Sequence, residues 1–194
     1  LTLLKDLGEL YLALGKFKKA ENLFQRWLTI HKQKNLQLSD PLSSIRIQLA
    51  QIYFSKNDFD SAYKNYLSWI KEFENIFTSN SPELIAPLSC MAELESEKKE
   101  YKSSEDYLNK ALKIAKEELG DSHPEKASIL QQLAMVYFAE ERYEDSELYL
   151  KKAIKIMEST LDPTHPSMAT YYHNLASVYK ELNKDQLAET FSLK

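Results

Sequence analysis

A small residue returns at a fixed interval along this chain: Gly8, Ala50, Ala92, Ala134 and Ala176 stand 42 positions apart. Its apolar neighbour keeps the same count as Leu7, Leu49, Met91, Leu133 and Leu175. Three residues after the small one comes an aromatic, Tyr11, Tyr53, Tyr137 and Tyr179, with Glu95 as the exception. A second series, Phe17, Phe59, Tyr101 and Tyr143, leads to Ala20, Ala62, Ser104 and Ser146, then to Phe24, Tyr66, Leu108 and Leu150. No gap is needed to align these series. The chain is therefore a set of copies of one unit, and whatever one copy folds into, the others must fold into as well.

The unit is clearest from Pro124 to Leu161. Leu130, Leu133, Ala134 and Tyr137 fall at i, i+3, i+4 and i+7, one face of a helix. Glu140-Glu141-Arg142 interrupts it, and Tyr143, Ser146, Leu150, Ala153, Ile154 and Met157 carry a second helical face. Leu161-Asp162-Pro163-Thr164-His165-Pro166 then opens the next copy. The chain has only 3 Gly, and five of its prolines (Pro41, Pro82, Pro124, Pro163, Pro166) sit at joints between copies, so the copies themselves are continuous helix. The expected fold class is all-α.

Leu4-x2-Leu7-Gly8-x2-Tyr11, followed by Ala20-x3-Phe24, resembles the tetratricopeptide repeat, with Leu4 where Trp is usual. The period of 42, together with Leu119-Gly120-Asp121-Ser122-His123-Pro124 and Tyr172-His173-Asn174-Leu175-Ala176-x2-Tyr179, is similar to the repeats of kinesin light chains and their bacterial relatives. The resemblance implies a right-handed α-solenoid of about five antiparallel helix pairs. Their bounds are about 1–34, 41–77, 82–119, 124–161 and 166–194, a single array with its last copy truncated, as in a piece of a longer protein.

The resemblance also implies a function, the non-catalytic holding of a peptide or protein segment in a concave groove. In relatives that hold peptides, first-helix positions pointing away from the small-residue face line that groove. Carried over position by position, these are Lys5, Asp6 and Glu9; Gln48, Gln51 and Phe54; Ser89, Cys90 and Glu93; Gln131, Gln132, Met135 and Phe138; and His173, Asn174 and Ser177. Amides recur at one slot, Gln48, Gln132 and Asn174. Asn and Gln can both donate to and accept from the unpaired backbone of an extended peptide, and Phe54, Phe138 and Met135 would add adaptable apolar contact. Relatives that grip acidic cargo place several Lys or Arg in the groove. Here Lys5 is the basic residue at such a position, while Asp6, Glu9 and Glu93 are acidic. The expected partner is thus a neutral or mildly basic peptide, and kinesin-like cargo transport is not implied.

Charge and composition narrow the alternatives. A formal net charge of -4 and a pI near 5.7 give no basic excess for nucleic acid or an anionic membrane, and Lys18-Lys19, Lys98-Lys99 and Lys151-Lys152 read as solvated helix faces. RNA binding by a helical array would need a basic groove. No apolar run approaches the roughly 18 residues of a membrane helix. Cys90 is the single cysteine, which fits a reducing, cytoplasmic setting. No cofactor is expected, and no phosphate loop, His-Glu-x-x-His motif or nucleophile motif is present. Cys90 and His173 lie two copies apart, on the order of 20 Å with helices packed 8 to 10 Å from each other. His123 and His165 lack the companions of a zinc site and read as punctuation.

Three local expectations follow. Pro87, five residues inside a helix opened by Pro82, should bend its first turns, and with Glu95 in an aromatic slot the third copy reads as drift that distorts the superhelix locally. Trp27 and Trp69 are expected in the core rather than at a site. Asn80, Ser122 and Thr164 share a slot suited to capping a first helical turn, Ser122 and Glu125 at capping-box spacing. The rival to a peptide groove is a structural or regulatory arm of a larger enzyme or signalling protein, packed against its own chain.

Overall fold

The computed structural model describes residues 1–34, 40–74, 80–162 and 165–193; Phe77, Pro163 and Thr164 lie outside the described residues. The chain divides into two compact units, Leu1–Ile76 and Phe77–Lys194. The first holds α1 (Thr2–Ala13), α2 (Phe17–Gln33), α3 (Asp40–Ser55) and α4 (Phe59–Glu74). The second begins with a 3-10 turn (Pro82–Leu84) and continues through α5 (Ile85–Glu97), α6 (Tyr101–Ile114), a π-turn (Ala115–Leu119), α7 (Pro124–Ala139), α8 (Tyr143–Thr160), α9 (Pro166–Glu181) and α10 (Asp185–Ser192). Within each unit successive helices pack as antiparallel hairpins, and the second helix of one hairpin packs on the first helix of the next.

Every hairpin turns in the same way. Gly15, Asn57, Lys99, Glu141 and Asn183, again 42 apart, have φ values of 67°, 55°, 64°, 61° and 56°. The residue after each donates its N–H back to the carbonyl of the aromatic slot: Lys16 to Tyr11 at 2.8 Å, Asp58 to Tyr53 at 2.9 Å, Arg142 to Tyr137 at 2.9 Å and Lys184 to Tyr179 at 2.8 Å. Glu100 makes the same bond to Glu95 at 2.8 Å, so the departure at Glu95 leaves the turn intact. This is a Schellman closure, which satisfies free carbonyls at a helix end and needs a left-handed residue.

The small-residue slot lets paired helices approach. Ala50, Ala92, Ala134 and Ala176 are buried, and their partners Tyr66, Leu108 and Leu150 fill the space beside them. At Gly8 the fit is tightest: a Cβ there would stand 2.4 Å from Phe24 Cε1, and Phe24 is fully enclosed. Ser104 and Ser146 replace the alanines of the second series and turn their hydroxyls onto the Ala92 and Ala134 carbonyls, each at 2.7 Å. Both tryptophans are core, as expected; Trp27 stacks on His31 at 4.7 Å and Trp69 meets Phe73 edge-on at 6.0 Å.

Two local expectations are corrected. The caps of α7 and α9 fall one residue later than the shared slot. His123 Nδ1 accepts from the Glu125 N–H at 3.2 Å and His165 Nδ1 from the Ser167 N–H at 3.2 Å, so the imidazoles supply the acceptor and Ser122 does not. Asn80 instead reaches across to Glu117 Oε2 at 3.4 Å, and Ser81 precedes the 3-10 turn without capping it. Pro87 does not interrupt a helix opened by Pro82, because Pro82 opens only the 3-10 turn and α5 starts at Ile85. Pro87 is then the third residue of α5, inside the first turn, where a backbone N–H has no intrahelical partner to lose. The irregularity of this hairpin lies at its two ends, in the 3-10 turn and in the π-turn that runs into Gly120 at φ 91°.

Candidate binding groove

In the first unit the groove positions of α1 and α3 meet. Lys5 Nζ pairs with Glu9 Oε1 at 2.8 Å, and Gln48 Nε2 donates to the same oxygen at 3.1 Å. The hydrogen bond from Lys5, followed by that from Gln48, holds the Glu9 carboxyl below its ordinary value. The single groove lysine is therefore neutralised by its neighbour. The other end of the Gln48 amide, Oε1, is buried with no partner. Asp6 and Gln51 are exposed, and Phe54 is half-buried with its ring edge-on to Phe59 at 5.8 Å.

The second unit carries an open cleft of about 380 Å³ between α5 and α7, floored by α6. Ala92, Glu93, Ser96 and Glu97 line it from α5; Ser104 and Leu108 from α6; Ser128, Gln131, Gln132, Met135 and Val136 from α7. Four expected groove residues, Glu93, Gln131, Gln132 and Met135, are thus brought to one place. Glu93 is solvent-exposed, yet the cleft walls crowd it: desolvation, with the Glu97 charge adding to it, pushes its carboxyl above its ordinary value. Gln132 Oε1 is buried without a partner, and Met135 is 39% exposed.

The remaining expected residues do not line this cleft. Ser89 and Cys90 are half-buried on α5, with the Ser89 hydroxyl enclosed and unpartnered. Phe138 turns edge-on to Tyr143 at 5.4 Å, as Phe54 does to Phe59, so both rings serve hairpin packing first. On α9, His173 is exposed, Asn174 and Ser177 are half-buried, and Ser177 Oγ donates to the His173 carbonyl at 3.1 Å.

Ser96, Glu97 and Ser128 were not among the expected positions. The signal for Ser96 was present in the repeat itself, since it occupies the slot of Phe54 and Phe138, 42 residues from each. Glu97 follows Glu93 by one helical turn, which places both carboxylates on one face. The Ser96 slot varies from copy to copy, with Leu12 and Lys180 in the first and last, and in this hairpin the small Ser96 lines the cleft.

Among the described residues no group of three His, Cys, Asp or Glu could hold a metal ion. No helix there is long and apolar enough to cross a membrane.

The Tetratricopeptide repeat family matches this sequence at residues 83–159 and 132–193, and again at 3–38. Among curated proteins none matches. Solved structures share the fold. BtubC (BKLC) from P. vanneervenii superposes with a TM-score of 0.82 at 22% identity, over 97% of this chain and 75% of that one. Nearly identical TPR-like repeats assigned to a kinesin light chain of Podosopora anserina give 0.78 at 20% identity, over 98% and 90%. The apo form of RapI gives 0.76 at 13% identity, over 98% and 66%. At these identities the likeness speaks for the fold alone. Helical hairpins at a period of 42 residues, closed by one recurring turn and matched by the family over more than half of the sequence, place the chain in the tetratricopeptide repeat family.

Proposed function

We propose that this protein is a non-catalytic interaction scaffold that holds a neutral or mildly basic peptide or protein segment along the groove faces of its first helices, with no nucleic acid or membrane partner. The observation that carries the reading is the cleft between α5 and α7, where an orphaned amide oxygen, two carboxylates and an exposed thioether surround about 380 Å³ of open space. An unpartnered buried acceptor opposes folding, so its retention beside a cleft is explained by a donor that arrives with a ligand. Gln48 Oε1, in the same repeat slot of the first unit, is orphaned in the same way. Tetratricopeptide folds generally serve as non-enzymatic scaffolds for proteins or peptides, which agrees with this reading.

The test is a screen of the purified chain against a diverse peptide library beside the triple variant Gln48→Ala, Gln132→Ala, Asn174→Ala. Binding lost in the variant, with helicity and melting temperature kept, supports the groove. Equal binding by both moves the site elsewhere.

One observation favours the rival reading, a structural or regulatory arm docked to the rest of a larger protein. Leu3 and Leu10 on α1 are 78% and 54% exposed, whereas their counterparts Ile45 and Ile52, Ile129 and Val136, and Tyr171 and Val178 are buried. In those three hairpins the preceding second helix packs on the first helix that carries them. Under this reading α1 presents an apolar contact face.

A further inference from the structure

The cleft between α5 and α7 is one-sided in its chemistry. Its charged groups are the Glu93 and Glu97 carboxylates, and no salt bridge to either occurs among the described residues. The neighbouring acidic residue Glu95 contrasts with them: it is buried in the other direction and has Lys98 Nζ at 3.4 Å. The side chains that α6 and α7 contribute are uncharged, and one of them, Gln132, holds an amide oxygen with no donor. Met135, 39% exposed, supplies apolar wall, with Ala92, Leu108 and Val136 buried behind it.

Acceptors in excess of donors, next to apolar wall, describe a receptor for a long side chain with an aliphatic stem and a cationic head. An anion would face two like charges. A purely apolar side chain would leave both carboxylates to be covered without neutralisation. A metal ion would find two carboxylates on one helical turn and no third ligand. The volume of about 380 Å³ falls within the range of small-ligand pockets, so one side chain enters with room for bridging water.

We propose that this cleft takes a Lys or Arg side chain of the bound segment, its stem along Met135 and its head between Glu93 and Glu97, with Gln132 Oε1 as a further acceptor. The inference rests on the groove reading above and makes it specific: the partner carries a basic anchor flanked by apolar or neutral residues. The desolvation by the cleft walls and the Glu97 charge that raise the Glu93 carboxyl before binding are what an ammonium or guanidinium would offset.

The test uses a phage-displayed random peptide library panned on the whole chain and, in parallel, on the Glu93→Gln/Glu97→Gln variant. The selected peptide is then compared by fluorescence anisotropy with a copy whose basic residue is replaced by norleucine. Circular dichroism checks that the variant keeps its helicity. Expected are peptides enriched in one Lys or Arg, a loss of about tenfold on the norleucine exchange with the parent chain, and a loss of less than about threefold with the variant. Enriched peptides without a basic position, or an equal loss with both proteins, overturn the basic anchor and leave the groove reading standing. No enrichment of any peptide overturns the groove reading, and the anchor with it.

Discussion

The Ser146 hydroxyl donates to the Ala134 carbonyl at 2.7 Å, joining the two helices of one hairpin through a bond sealed from water, and Ser104 repeats it onto Ala92. Because Ala20 and Ala62 fill the same slot elsewhere, Ser146→Ala fits sterically and loses only the bond. The expected cost is about 1 kcal/mol, a melting temperature lower by roughly 2–4 °C. Ser146→Leu should fail to form the hairpin, since the site is fully enclosed. Thermal melts followed by circular dichroism distinguish the two.

Gly8 and Phe24 form a matched pair. Gly8→Ala gains helix propensity of roughly 1 kcal/mol but drives a Cβ to 2.4 Å from an enclosed ring. A net loss of about 1 kcal/mol is expected in urea denaturation. Gly8→Ala with Phe24→Leu, which restores the pairing seen at Ala92 with Leu108, should recover part of it. A double variant no more stable than Gly8→Ala alone would place the strain elsewhere.

Arg46 is buried, with Nη2 2.8 Å from both carboxylate oxygens of Glu72 and Nη1 3.0 Å from Asn65 Oδ1. Glu72→Ala strands the guanidinium without its counter-charge, and a loss on the order of 3 kcal/mol is expected. The Arg46→Met/Glu72→Met variant removes both charges and should lie within about 1 kcal/mol of the parent. Equilibrium denaturation of the three proteins checks the order.

Lys99 and Glu141 adopt the left-handed conformation that glycine and asparagine hold in the equivalent turns. Lys99→Asn and Glu141→Asn relieve that strain and should each stabilise by about 0.5 kcal/mol. Equal or lower melting temperatures would show that the side chains contribute something that the turn geometry does not reveal.

Glu93 has a carboxyl raised above its ordinary value, so the native state binds its proton more tightly than the unfolded chain does. It favours folding when protonated and opposes it once pH rises through the native value. The charged group facing it is Glu97 from its own helix; the side chains lining the cleft from α6 and α7 carry no charge. Glu93→Gln should melt on the order of 1 °C above the parent at pH 7, a small effect because the carboxylate is solvent-screened. The difference should close as the pH falls below the ordinary glutamate value of about 4.3. An equal gain at both pH values would assign it to packing.

The helices and their pairing were legible in the sequence because a repeat states each contact several times over. Leu133, Ala134 and Tyr137 are buried as their spacing requires, and so are Leu175, Ala176 and Tyr179. The caps were misread by one residue because an imidazole with its proton on Nε2 serves as an acceptor as well as a serine does, and preference scales do not favour it. The common left-handed turn was missed because two of its five positions, Lys99 and Glu141, carry residues that do not announce it. At the groove, position alone placed Glu93, Gln131, Gln132 and Met135 together. It also marked Phe54 and Phe138, whose rings pack edge-on to Phe59 and Tyr143, and did not mark Ser96, which lines the cleft.

Ser96 shows how one slot of a duplicated chain can vary without cost to the fold: its equivalents are Leu12, Phe54, Phe138 and Lys180. Each hairpin leans only on its neighbours, so a side chain that differs from copy to copy stays a local matter. The turn that closes the Ser96 hairpin, from the Glu100 N–H to the Glu95 carbonyl, is the one the other copies make, so the backbone beside the cleft keeps the common course. Redundancy in the scaffold thereby leaves space for individuality at one address.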